Sequence, residues 1–225
     1  MNSTFYCVVG LGNPGKQYYH TRHNIGFRIV EFFVQAKNVD KSNSKLFSFS
    51  RKHNAELAKF QFGDKKLILV KPQTYMNRSG HAVQSVISYF NIPLENLIVA
   101  NDDIDIILGS LRFSKKAGSA GHKGVRSIIE QCGSQDFVRL RFGIAKNSLK
   151  KTSSGTDNFV LACFDIKEEK ILRDLIPRAS ESIEFLLNNG FEKTANKYNK
   201  GAILPMKRAE RYRRENDLTT RPLAV

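Results

Sequence analysis

Phe5-Tyr6-Cys7-Val8-Val9-Gly10-Leu11-Gly12-Asn13-Pro14-Gly15, followed by Thr21-Arg22-His23-Asn24, is the stretch on which the reading of this chain turns. Residues 5–12 form an unbroken apolar run of strand length, the pattern of a strand buried on both faces. Asn13-Pro14-Gly15 reads as a tight turn. Residues 24–37 then place Ile25, Ile29, Phe32, Phe33 and Ala36 at helical spacing, with Asn24 positioned to cap the start. His23 therefore stands between a cation and an amide at the mouth of a helix, close behind a glycine-rich strand end.

Gly10, Gly12 and Gly15 also satisfy, by spacing alone, the glycine pattern of a dinucleotide-binding turn. The context argues against that reading. In that fold the glycine turn opens straight into a helix whose N-terminus holds the pyrophosphate. Here residues 16–23 carry no apolar helical stripe. No acidic residue ends a second strand at the expected distance, because Glu31 falls inside the first helix.

Outward from this stretch, residues 39–54 are polar and basic, a loop with a short strand at 47–49. Residues 55–61 and 65–71 are strands joined through Phe62-Gly63-Asp64, a hairpin signal. A loop at 72–77 leads to a helix at 79–90, and a buried strand at 96–100 ends in Asn101-Asp102-Asp103-Ile104-Asp105. A short strand at 108–113, a Gly/Lys loop at 114–124 and a helix at 125–131 follow. Residues 137–144 form a strand in which Arg139 and Arg141 alternate with apolar residues, and 145–156 are a Lys/Ser/Gly loop. Residues 166–189 read as one long helix or two, broken near Pro177. Strands alternate with helices, which implies an α/β fold with a mixed or mainly parallel sheet covered on both faces. Functional residues are then expected at strand ends.

The 225 residues are 41% hydrophobic, enough for a substantial core. There is no charged-then-apolar leader pattern and no apolar run of spanning length, so a cytosolic or organelle-matrix location and no membrane contact are expected. Cys7, Cys132 and Cys163 lack metal-ligand spacing and are expected to be reduced and mostly buried. The net charge is +15, of which residues 196–225 supply +5 and residues 1–195 supply +10. The folded part is itself basic, which points to polyanion partners. The charged tail at 201–225 has two prolines and no sustained apolar stripe, and is expected to lie outside a folded domain at 1–200 and to be mobile.

Among chemical groups, His23 is the candidate general base, since histidine titrates near neutral pH. Asp102, just past a buried strand, is the candidate carboxylate to orient it, with a solvated acidic turn or an Asp-x-Asp cation site as the other readings. The five histidines show no metal-ligand spacing. Asn13 and Asn77 follow strands and carry amides able to donate to a carbonyl oxygen that gains charge. Tyr75 and Met76 offer an apolar wall or core filling. Lys115, Lys116, Gly118, Gly121, His122, Lys123, Gly124 and Arg126 form a basic glycine-rich loop entering a helix. It lacks the P-loop ending. With Arg139, Arg141 and Lys146 it reads as a surface for a nucleic-acid backbone or as a solvated basic face.

These motifs together resemble the bacterial-type peptidyl-tRNA hydrolases. The resemblance rests on Val9 to Gly15, Tyr18, and Thr21-Arg22-His23-Asn24-Ile25-Gly26. It rests also on Lys71-Pro72-Gln73-Thr74-Tyr75-Met76-Asn77-Arg78-Ser79-Gly80, Asp102 to Asp105, Gly121-His122, and Arg139-Leu140-Arg141-Phe142-Gly143-Ile144, all in family order. It implies a single α/β domain with a twisted mixed sheet surrounded by helices. It implies an enzyme, free of cofactor and metal, that cleaves the ester between a peptide and the 3′ end of tRNA; the small domain size with no extra apolar helix makes a monomer the expectation. In that family His23 would activate water, Asp102 would orient it, and Asn13 and Asn77 would position the peptide and the carbonyl. Tyr18 and Met76 would line the peptide channel, while Lys115, Lys116, Arg139 and Arg141 would meet the tRNA.

There are two departures. Lys123 stands where the family usually has a substrate-holding asparagine, and Ser114 occupies a position that is usually basic. These changes keep open a second reading, a non-catalytic RNA-binding relative like the intron-splicing factors of plant organelles. The presence of His23, Asp102, Asn13 and Asn77 together favours an enzyme.

Overall fold

Seven strands in the order β2-β3-β4-β1-β5-β7-β6 form one sheet in the computed structural model, which describes residues 4–37, 46–146 and 156–200. The strands are β1 Thr4–Gly10, β2 Ser48–Ser50, β3 Ala55–Phe62, β4 Lys65–Pro72, β5 Leu97–Ile107, β6 Leu111–Lys115 and β7 Val138–Ala145. The central pairs, β1 with β4, β1 with β5 and β5 with β7, are parallel. The flanks, β2 with β3, β3 with β4 and β6 with β7, are antiparallel. Around the sheet lie α1 Ile25–Lys37, α2 Ser79–Tyr89, α3 Lys123–Cys132, α4 Thr156–Leu161, α5 Ile166–Asn189 and α6 Phe191–Tyr198.

The apolar run at the start of the chain works as its pattern demands. In β1, Val8 packs into the layer with Ile25, Ile29 and Phe33 of α1 and with α5. Cys7 and Val9 point the other way, to Val83 and Val86 of α2 and Val125 and Ile128 of α3. A strand with both faces covered needs apolar residues at consecutive positions. Gly10 and Gly26 let α1 press onto the end of β1: a Cβ on Gly10 would overlap the Gly26 carbonyl, and one on Gly26 would overlap the Leu11 backbone and the Ala100 carbonyl. That contact brings the segment just before α1, which holds His23, against the ends of β1 and β5. β1 ends at Gly10 and the first α-helix starts only at Ile25, so the glycines do not form a strand-to-helix phosphate turn.

Several details differ from the sequence reading. β5 does not stop before the aspartates; it continues to Ile107 because β7 keeps pairing alongside, Asp102 with Phe142 and Asp103 with Gly143, before the register shifts. Asp102 and Asp103 are therefore buried strand residues, not a solvated turn. α5 runs unbroken through Pro177. The lost backbone bond is tolerated because Leu172, Leu175, Ile176, Ala179 and Ile183, on both sides of the proline, are all buried. α4 and α6 had no counterpart in the sequence reading. The strand expected at 108–113 forms instead as β6, Leu111–Lys115. Of the cysteines only Cys7 is buried; Cys132 is half-buried and Cys163 exposed. The tail at 201–225, most of the loop expected at 145–156 and part of that at 39–54 lie outside the described residues.

Candidate active site

Thr21-Arg22-His23-Asn24 sits between the end of β1 and α1, and each residue has a separate task. The Thr21 hydroxyl donates to the Tyr18 carbonyl at 2.7 Å. Arg22 is buried and staples the turn to the segment joining α4 and α5: Nη1 donates to the carbonyls of Ala162 (3.1 Å) and Cys163 (2.7 Å), and Nη2 to Glu168 Oε2 (2.6 Å). Its guanidinium also lies 4.6 Å from the Phe159 ring centroid and 5.1 Å from that of Phe164. Asn24 does not cap α1. Its Oδ1 accepts from the Asn13 N–H (2.8 Å) and its Nδ2 donates to the Asn13 carbonyl (2.9 Å), clamping the turn after β1. Asn13 Oδ1 in turn accepts from the Met76 N–H at 2.8 Å. Asn13 Nδ2 is left with no protein partner among the described residues.

With its neighbours bound, His23 is held in one orientation. Its Nδ1 lies 2.9 Å from Asp102 Oδ1, and the pair is buried. A second histidine reaches the same oxygen: His122 Nε2 is also 2.9 Å from Asp102 Oδ1. His122 caps α3, its Nδ1 accepting from the N–H groups of Gly124 (3.1 Å) and Val125 (3.3 Å). That cap fixes the proton arrangement. A nitrogen that accepts is unprotonated, so His122 carries its proton on Nε2 and donates it to Asp102. His23 likewise donates from Nδ1, which leaves its Nε2 as a free lone pair, the form a general base requires. Gly124 lets α3 come this close, since a Cβ there would strike Met76 Sδ at 2.5 Å.

Electrostatics reinforce the arrangement. Burial pushes the Asp102 carboxyl up, but the two imidazoles and their hydrogen bonds outweigh it and hold the group well below the usual carboxylate range. Burial pushes His23 down, and Asp102 outweighs that, leaving its pKa above the ordinary histidine value. Among the described residues, His23, Asp102 and His122 also have ligand atoms close enough together, within 4.8 Å, to hold a metal. Both inner nitrogens carry protons donated to Asp102, so the observed geometry is a hydrogen-bond network; a metal would have to displace both protons.

The other expected residues are placed as follows. Met76 is 4% exposed and belongs to the core beside Leu11 and Val125. Asn77 is exposed in the short turn before α2, and Tyr18 is half-buried. Lys123 is exposed at the start of α3, and its Nζ meets Asp157 Oδ2 of α4 at 2.6 Å. Lys115 and Lys116 lie 3.7 and 3.5 Å from the Asp136 carboxylate. Arg141 is half-buried, with Nε 2.6 Å from Asp103 Oδ2. Arg139 is not a surface residue: it shares its face of β7 with Phe137 of the core under α2 and α3 and is only 3% exposed.

Two residues escaped the sequence reading. Arg112 is exposed on β6 directly opposite Arg141 of β7, so the two guanidiniums share a face. In the sequence reading His122 is part of a basic loop and of the family pattern, with no role of its own. The signal that could have found it is its place at the start of a helix pattern, where a side-chain acceptor caps.

Comparison with known proteins places this geometry in a family. The family profile described as peptidyl-tRNA hydrolase matches residues 7–207. A peptidyl-tRNA hydrolase of Syntrophomonas wolfei is 38% identical over 192 residues, covering 85% of this chain and 98% of that protein. A chloroplastic peptidyl-tRNA hydrolase of Arabidopsis thaliana is 40% identical over 191 residues, covering 84% of this chain and 63% of that one. The crystal structure of peptidyl-tRNA hydrolase from Acinetobacter baumannii superposes with a TM-score of 0.77 at 27% identity, covering 90% of this chain and 98% of that one. The chain belongs to the peptidyl-tRNA hydrolase family.

Proposed function

We propose that this protein hydrolyses the ester joining a peptide to the 3′ end of tRNA, with His23 as general base. The observation that carries the proposal is the free Nε2 of His23, held in that tautomer by Asp102. Water bound at Nε2 loses a proton to it while attacking the ester carbonyl carbon. Asn13 Nδ2 and the Asn77 amide donate to the acyl arm and to the oxygen that becomes negative. The imidazolium, stabilised by Asp102, returns the proton to the departing ribose oxygen. The leaving group is an alkoxide rather than an amine anion, so a positioned base and amide donors suffice without a covalent intermediate. Donors that bind the amide of an N-acylated residue disfavour the free amine of ordinary aminoacyl-tRNA.

The tRNA acceptor end is read here as lying over Arg112, Arg141, Lys115 and Lys116, whose cations suit phosphates. Arg139 contributes from beneath by keeping that face positive. The protein is read here as acting as a monomer. The non-catalytic RNA-binding reading is not favoured: the base, its carboxylate and both amides are present, and the relatives are named as hydrolases. Among the described residues no helix is long and apolar enough to cross a membrane.

The test is release of peptide from an N-acetylated aminoacyl-tRNA, with chelator present and with the unacylated aminoacyl-tRNA alongside. Rapid cleavage of the acylated substrate only is the expected result. Tight binding of the acylated tRNA without cleavage would favour the RNA-binding reading.

A further inference from the structure

A cleft of about 450 Å³ opens beside the catalytic turn, on the flank formed by β4 and the start of β3, away from β6 and β7. Asn13 forms part of its wall, and Phe27, Tyr19 and Gln73 line it further out. Two glutamates, Glu31 and Glu56, and two lysines, Lys16 and Lys71, contribute to its lining. Lys71 Nζ is held by Glu31 Oε1 and Glu56 Oε2, each at 2.6 Å, and lies 4.6 Å from the Phe47 ring centroid. One ammonium is thus shared by two carboxylates, which leaves a net negative triad with one oxygen of each carboxylate not held by Lys71. Lys71 itself is 8% exposed, so the cleft meets the carboxylates more readily than the ammonium.

We propose that this cleft is a specificity subsite that takes a cationic side chain of the peptide arm. The inference rests on the hydrolase reading and adds a substrate preference to it. Three observations carry it. The cleft shares Asn13 with the site, and Asn13 is 7% exposed with its Nδ2 unpaired, so an acyl group held by that amide starts at the cleft wall. The sheet order places His23 and Asp102 between this cleft and the cationic pair Arg112 and Arg141, so the two arms of the ester leave toward opposite flanks. The carboxylate oxygens not held by Lys71 accept N–H donors, while Phe27 offers an apolar wall for a lysine or arginine stem.

The test uses two N-acetyl-dipeptidyl-tRNAs that differ only in lysine or methionine at the residue preceding the esterified one, and an N-acetyl-tripeptidyl pair with the change one residue further out. Methionine matches the stem without the charge. Wild type is expected to show kcat/KM about fivefold higher for lysine at one of these positions, the size of a partly exposed ion pair. Glu56→Gln, which leaves Lys71 its Glu31 partner, is expected to abolish that preference while keeping the methionine rates. Equal rates for lysine and methionine in wild type at both positions would overturn the subsite without any variant. So would a Glu56→Gln enzyme that keeps the preference, or that slows both substrates alike. Failure of wild type to cleave any of the four substrates would instead contradict the hydrolase reading itself.

Discussion

The centre of the sheet's C-terminal rim and the β6 and β7 edge, where Lys115 pairs with Val138 at the start of β7, handle charge in opposite ways. At the centre, Asp102 is 3% exposed and receives two imidazoles on one oxygen, each at 2.9 Å. At the β6 and β7 edge, the cations of Lys115 and Lys116 stand 3.7 and 3.5 Å from a single carboxylate and stay open to solvent. The buried network fixes a tautomer and so can determine chemistry. The exposed cations keep their freedom and can only add affinity. Substitutions at the centre should therefore change rates, and those at the edge should change binding and its salt dependence.

The largest effect is expected for His23→Ala, which removes the base and should cut kcat by about 10³-fold, within the range for general-base catalysis, with an unchanged thermal unfolding transition. Single-turnover peptide release measures it. A rate near that of wild type would place the base elsewhere. His122→Ala sharpens the comparison, because it removes one donor to Asp102 and the cap of α3 while leaving His23 in place. It should lower stability by about 1 kcal/mol through the lost cap, read by denaturant titration, and slow turnover by about tenfold. An unchanged turnover would reduce His122 to a cap.

At the edge, Arg141→Gln should leave kcat near that of wild type and raise KM, with the slope of log affinity against log salt falling by about one unit. Electrophoretic or filter binding at several salt concentrations reads the slope; an unchanged slope would show that Arg141 serves only Asp103. The smallest effect is expected for Lys123→Asn. Its ion pair with Asp157 is exposed, so stability should change by less than about 0.5 kcal/mol.

The sequence showed the centre of the fold clearly, because a parallel strand buried on both faces must be apolar at every position, as in Val8 and Val9. Asp102 was found by its place near the end of such a strand. His122 was not, because glycines and lysines surround it and nothing local shows that α3 aims it at β5. Asn24 was misread because an asparagine before a helix signals a cap, and the same amide can instead clamp a distant backbone. Arg139 and Arg141 look alike in sequence. Only the fold separates them, burying Arg139 and leaving Arg141 half-open. Pro177 signals a break locally, and tertiary packing on both sides overrides it.

The most direct test of the account is the pH dependence of single-turnover peptide release for wild type and Asp102→Asn. His23 must be neutral to accept a proton, and Asp102 raises its pKa. Wild type should therefore lose activity on acidification through an inflection above the ordinary histidine value. In Asp102→Asn burial is no longer outweighed, so the inflection should move to lower pH while the plateau rate falls by about 10²-fold. An inflection that stays in place, or a plateau that does not fall, would contradict the claim that Asp102 sets the state of His23.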